Sequence, residues 1–73
     1  MLDPTTHYKR YVIRTFEFEP GRWRAEIRKA DGSDITIFEP TRQRRSIRTS
    51  HNTLTAEASV QLAKETIDRG AIR

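Results

Sequence analysis

The sequence predicts an α+β domain: an antiparallel β-meander of three or four strands with one C-terminal α-helix packed across one face. Three features carry that expectation. Residues Tyr8 to Glu19 are rich in β-branched and aromatic side chains, which fit a pleated, half-buried surface. Residues Arg22 to Lys29 alternate apolar and charged, as a strand with one buried face does. After Thr55 the period changes: Ala56, Val60, Ala63 and Ile67 recur at helical spacing and form one apolar stripe.

The elements follow in order. Residues 1–7 read as a flexible N-terminus, residues 8–70 as the folded domain and residues 71–73 as a C-terminal tail. Glu19-Pro20-Gly21-Arg22 is a turn signal between the first two strands. A loop symmetric about Pro20-Gly21 sets Phe18 opposite Trp23, Glu17 opposite Arg24 and Glu19 opposite Arg22. Apolar pairs then share one face and opposite charges the other. Further out the pattern fails, because Arg14 would meet Ile27; a β-bulge near Thr15 would return Ile13 and Tyr11 inward. Ala30-Asp31-Gly32 makes the second turn. A three-residue loop with Gly32 in the left-handed region aligns Ile27 with Ile35, Ala25 with Ile37 and Arg28 with Asp34, which a two-residue loop does not. The third strand is then about Asp34 to Phe38, stopped by Pro40. Ser46 to Ser50 reads as a short fourth strand at an edge. Thr55 is the expected helix N-cap, Glu57 suits the first turn, Arg69 lies in the last turn, and Gly70 ends the helix in a left-handed cap.

At 73 residues the chain is one small domain. It contains no Cys, and His7 and His51 stand far apart in sequence without ligand partners, so neither a disulfide nor a metal site is expected. No cofactor is expected. The Cys-free composition fits a reducing compartment, Met1 to Thr6 has neither the basic nor the apolar region of a signal peptide, and no apolar run approaches a membrane span. The expectation is a cytoplasmic protein without membrane contact. An enzyme is not expected: there is no Cys nucleophile, no Gly-rich phosphate loop and no H-E-x-x-H motif.

Charge is concentrated rather than spread. The formal net charge is +4, and between Pro40 and Ala56 lie Arg42, Arg44, Arg45 and Arg48 with no acid. The rest of the chain is balanced, with ten basic and ten acidic residues. The guanidinium fork suits phosphate, so these arginines are the candidate nucleic-acid contacts; the plainer alternative is a solvated loop. The strand face bearing Arg22, Arg24 and Arg28 reads as structural, neutralised by Glu17, Glu19 and Asp34. Trp23, Phe16 and Phe18 read as core beneath the helix. Leu62 and Ala58 fall outside the helix stripe, and Leu62 with Leu54 nearby is the candidate partner contact. The leading expectation is a small non-enzymatic binding module for nucleic acid. The alternative is a protein-interaction module, a homodimer or an antitoxin partner.

The order strand, strand, strand, helix, with Thr55-Ala56-Glu57-Ala58 opening the helix and Trp23-Arg24-Ala25-Glu26-Ile27 as a central strand, resembles the HicB-like antitoxin fold. The likeness spans about residues 8 to 69, with apolar helix positions at Val60, Ala63 and Ile67. It implies a β-β-β-α fold and, more distantly, a toxin partner. The Pro-Gly-Cys type motif before the last strand is missing. The chain looks equally like other small bacterial sheet-plus-helix proteins.

Overall fold

The computed structural model describes residues 5–38 and 41–73. Six strands precede one helix: β1 Thr5–Tyr8, β2 Tyr11–Glu19, β3 Arg22–Lys29, β4 Ile35–Ile37, β5 Arg42–Arg44, β6 Ile47–Arg48 and α1 Ala56–Asp68. An antiparallel sheet has the order β1-β2-β3-β6, and β4 and β5 form a second, two-stranded sheet. The helix packs on β2 and β3. This is the expected α+β architecture.

The core consists of Ile13 from β2, Ala25 and Ile27 from β3, Ile35 from β4, Ala63 and Ile67 from α1, and Ile72 beyond it. Small residues line the closest approach: Ala25, Ala63 and Ser59 are fully buried and Thr15 nearly so. Ser59 remains satisfied because its hydroxyl donates to the Ala56 carbonyl at 2.7 Å. Thr55 caps the helix as expected, its side chain accepting from the Ala58 amide at 3.1 Å. Gly70, at φ 75, takes the left-handed position past the C-terminus, where a side chain is disfavoured. Arg69 is the C-cap itself, one residue outside the last turn.

The β2–β3 hairpin departs from the symmetric register. Glu19 faces Arg22 as expected, but Glu17 faces Trp23, Phe16 faces Arg24, and the register shifts between Glu17 and Glu19. The bulge therefore sits at Phe18 and not near Thr15. Ile13 does reach Ile27. Moving the bulge past Phe16 changes which side chains point inward, because each single-residue slip exchanges the faces. Thr15 enters the core and Phe16 leaves it. Phe18 is 40% exposed, and Trp23 is half-buried. The expected core of Trp23, Phe16 and Phe18 is replaced by an aliphatic one, because the register takes Phe16 off the inner face; Tyr8 and Tyr11 pack partly buried against it.

The third strand is also re-routed. Gly32 has the expected left-handed backbone, φ 80, and its amide donates to the Lys29 carbonyl at 3.0 Å. Yet Ile35 and Ile37 do not pair with β3. They pair with Arg44 and Arg42 of β5, and Ile27 pairs with Ile47 of β6. The edge of β3 is closed by residues 47–53. The Thr49 amide donates to the Ala25 carbonyl at 2.8 Å, the Thr49 hydroxyl accepts from the Ala25 amide at 3.0 Å, and Thr53 exchanges two backbone bonds with Trp23. The fourth strand expected at Ser46 to Ser50 thus exists as β6 at this edge. Described residues at both ends of the domain join the fold. Thr5–Tyr8 is a strand on β2, and residues 71–73 dock on β4: Ile72 is buried, and Thr36 and Arg73 exchange backbone bonds at 2.6 and 2.9 Å. Pro40, expected to stop a strand, and residues 1–4 of the expected flexible terminus lie outside the described residues.

Candidate nucleic-acid interface

The β4–β5 ribbon and the start of β6 deliver three of the expected arginines to one place. In β5, Arg42 and Arg44 are two residues apart and so share a face. Both line an open groove of about 560 Å³ together with Arg48, Ile37, Phe38 and Ile72. Among the described residues lining it there is no carboxylate. Arg42 and Arg44 are exposed. The floor is apolar and the rim cationic, an arrangement that offers guanidinium donors to an anion from one side.

Arg45 leaves the group. Its guanidinium lies 3.4 Å from the Asp34 carboxylate and donates to the Gly32 carbonyl at 3.1 Å. Asp34 was expected opposite Arg28; it faces Arg45 because β4 turns away from β3. A larger depression, about 740 Å³, gathers Lys9, Arg10, Lys29 and Arg73, but around Asp31. Asp31 holds a carboxyl below the usual carboxylate range through the Ser33 hydroxyl and amide. That charge tempers the site, and the groove of Arg42, Arg44 and Arg48, with no described carboxylate in its lining, is the better anion receptor.

Arg48 belongs to two surfaces. It pairs with Glu26 across β3 and β6 and so stands on the sheet face away from the helix. There its guanidinium lies 5.2 Å from the Phe16 ring centroid. Arg24 lies 4.9 Å from the Phe18 ring and donates to Asn52 at 2.8 Å. Arg28 donates to Glu26 at 2.8 Å. The expected neutralisation of the Arg22, Arg24 and Arg28 face is thus only partial. Glu19 meets Arg22 at 3.6 Å, but Glu17 stands on the Trp23 side and its carboxylate accepts from the Gly21 amide, while Asp34 is committed to Arg45. Reading this face required the bulge position, for which the sequence holds no local signal.

The partner-contact candidates separate. Leu54 is 85% exposed just before the helix. Leu62 is half-buried and lines a small depression with Thr49, Ser50 and His51. At the opposite end, Lys9 and the Tyr8 hydroxyl both engage the Asp68 carboxylate at the helix C-terminus. Lys9, then Tyr8, hold that carboxyl below the usual range, and Asp68 in turn pushes Tyr8 and Lys9 up. Among the described residues there is no group of His, Asp and Glu side chains suited to a metal, and no helix long and apolar enough to cross a membrane.

No known protein family, curated protein or solved structure matches this chain. The HicB-like resemblance rests on the residues quoted for it alone.

Proposed function

We propose that this protein is a non-enzymatic nucleic-acid-binding module acting in the cytoplasm, with backbone phosphates held by Arg42, Arg44 and Arg48. One observation carries the reading: these three guanidinium groups line a single open groove, with no carboxylate among its described lining residues. Phosphate neutralisation by arginine releases condensed counterions, so binding of this kind weakens linearly in log–log terms as salt rises. The experiment is titration of the protein into labelled RNA and DNA at several salt concentrations. The Arg42→Ala/Arg44→Ala variant is expected to bind more weakly and to lose about one unit of salt slope per phosphate contact removed. Arg45→Ala is expected to bind like the parent, because Arg45 is already committed to Asp34. Salt-insensitive binding, or none at low salt, refutes the proposal.

The exposure of Leu54 favours a second reading, a protein-interaction module, whether a homodimer or a HicB-like antitoxin partner. Sedimentation velocity distinguishes it. On the second reading the chain is a dimer that Leu54→Glu dissociates; on the first it sediments as a monomer, and the substitution changes neither its mass nor nucleic-acid binding.

A further inference from the structure

We propose that the open face of the four-stranded sheet binds single-stranded nucleic acid, its bases stacking at Phe16 and Phe18 and its phosphates meeting the arginines around them. This rests on the nucleic-acid reading above and narrows it to unpaired strands.

The face is defined by the strand pairings. Arg14 with Glu26, Phe16 with Arg24, Val12 with Arg28, and Glu26 with Arg48 all lie opposite one another across the sheet, on the side away from Ile13, Ala25 and Ile27. No described element packs across it, since α1 covers the other side. Two shallow depressions lie on it. One is lined by Arg14, Phe16, Glu26 and Arg48, the other by Val12, Arg14, Glu26 and Arg28. Among the described residues the basic side chains outnumber the acidic ones here: Arg24, Arg28 and Arg48 stand around Glu26, which Arg28 engages, and Glu19 meets Arg22 at the hairpin end.

The aromatic placement is the second observation. A large ring on a sheet normally seeks the core, yet the bulge at Phe18 turns Phe16 and Phe18 to this side. Each ring carries a guanidinium over it, Arg48 on Phe16 and Arg24 on Phe18. Bases of unpaired strands stack on aromatic rings and on guanidinium planes, and arginine adds cation–π attraction. Bases inside a duplex are already stacked and cannot enter such pairs. Arg48 also lines the groove with Arg42 and Arg44, so a strand lying across the sheet meets the groove at β6.

The test compares a short oligothymidine, a duplex of equal length and an abasic deoxyribose-phosphate strand of equal length, by fluorescence anisotropy at fixed salt. The oligothymidine is expected to bind tightest. It should exceed the abasic strand by roughly five- to hundredfold for each stacked base. Phe18→Leu, at an exposed position, and Phe16→Leu should each erase part of that difference while leaving the salt slope intact. Equal affinity for the abasic strand, preference for the duplex, or unchanged oligothymidine binding by both folded variants overturns the inference. In those cases, sensitivity to Arg42→Ala/Arg44→Ala still leaves the groove as a phosphate site. Failure to bind any of the three probes sinks both.

Discussion

Asp68 occupies a position that helix electrostatics disfavours, a carboxylate in the final turn where the dipole is negative. The structure compensates with the β1–β2 turn, which brings the Lys9 ammonium and the Tyr8 hydroxyl onto it. Lys9 accepts a left-handed backbone there, φ 54, normally left to glycine. The pH consequence has a definite sign. Asp68 titrates lower in the folded chain than in the unfolded one, so its contribution is present above the unfolded carboxylate value of about 3.9 and is lost as pH falls through the folded value. Tyr8 and Lys9 titrate higher when folded. Their contribution is present below their unfolded values of about 10 and is lost as pH rises through the folded ones. Asp68→Asn should therefore lower the urea midpoint most around neutral pH, with the gap to the parent closing toward both extremes. The gap should be small, since Lys9 and Asp68 are well exposed to solvent screening. A pH-independent gap would show that the cluster does not titrate as described.

At the scale of elements, the helix was readable almost to the residue. Its signals are local: the Thr55 hydroxyl within reach of the Ala58 amide, the stripe ending at Ile67, and Gly70 free to take positive φ. Thr55→Ala should cost about 1 kcal/mol in a denaturant titration, the usual worth of such a cap. An unchanged midpoint would mean that another group takes over the Ala58 amide. The strands were readable as strands but not as partners. Ile35 and Ile37 present the same alternation whether they meet Ala25 and Ile27 or Arg42 and Arg44, and only the whole chain decides between them. The bulge is harder still. A bulge at Thr15 and one at Phe18 both rescue Ile13, and they differ only in whether Thr15 or Phe16 faces the helix. In the fold Thr15 is the one that faces inward, opposite Ala25. The site inherited both uncertainties. Arg42, Arg44 and Arg48 stood out as unbalanced charge, and three-dimensional pairing then removed Arg45. The half-buried Phe16 and the exposed Phe18 of the open face were hidden by the register.

Across the whole molecule, charge and core are segregated. Isoleucines from β2, β3, β4 and the C-terminal segment meet beneath the helix, while arginines crowd the uncovered sheet face and the ribbon beside it. Arg48 joins these two cationic regions because β6 is at once the last strand of the main sheet and a wall of the groove. A small domain gains from this division. The surface that meets an anion need not open the core, and substitutions among the arginines should leave the fold intact.

The clamp of Ile72 and Arg73 on β4 has a kinetic meaning. The β1–β2 and β2–β3 hairpins join near neighbours in sequence, whereas the clamp joins the middle of the chain to its end, Ile37 to Ile72 and Thr36 to Arg73. Contacts of long sequence separation carry a larger loop-closure cost and tend to be made after local ones. Ile72→Ala, which empties a buried position, should destabilise the chain by about 2–5 kcal/mol and should do so by accelerating unfolding, with the refolding rate nearly unchanged. Ile13→Ala, in the central hairpin, should slow refolding instead. Stopped-flow chevrons of the two variants would separate the scaffold that forms early from the latch that closes on it, and the arginine groove, whose wall includes Ile72, would be completed by the latch.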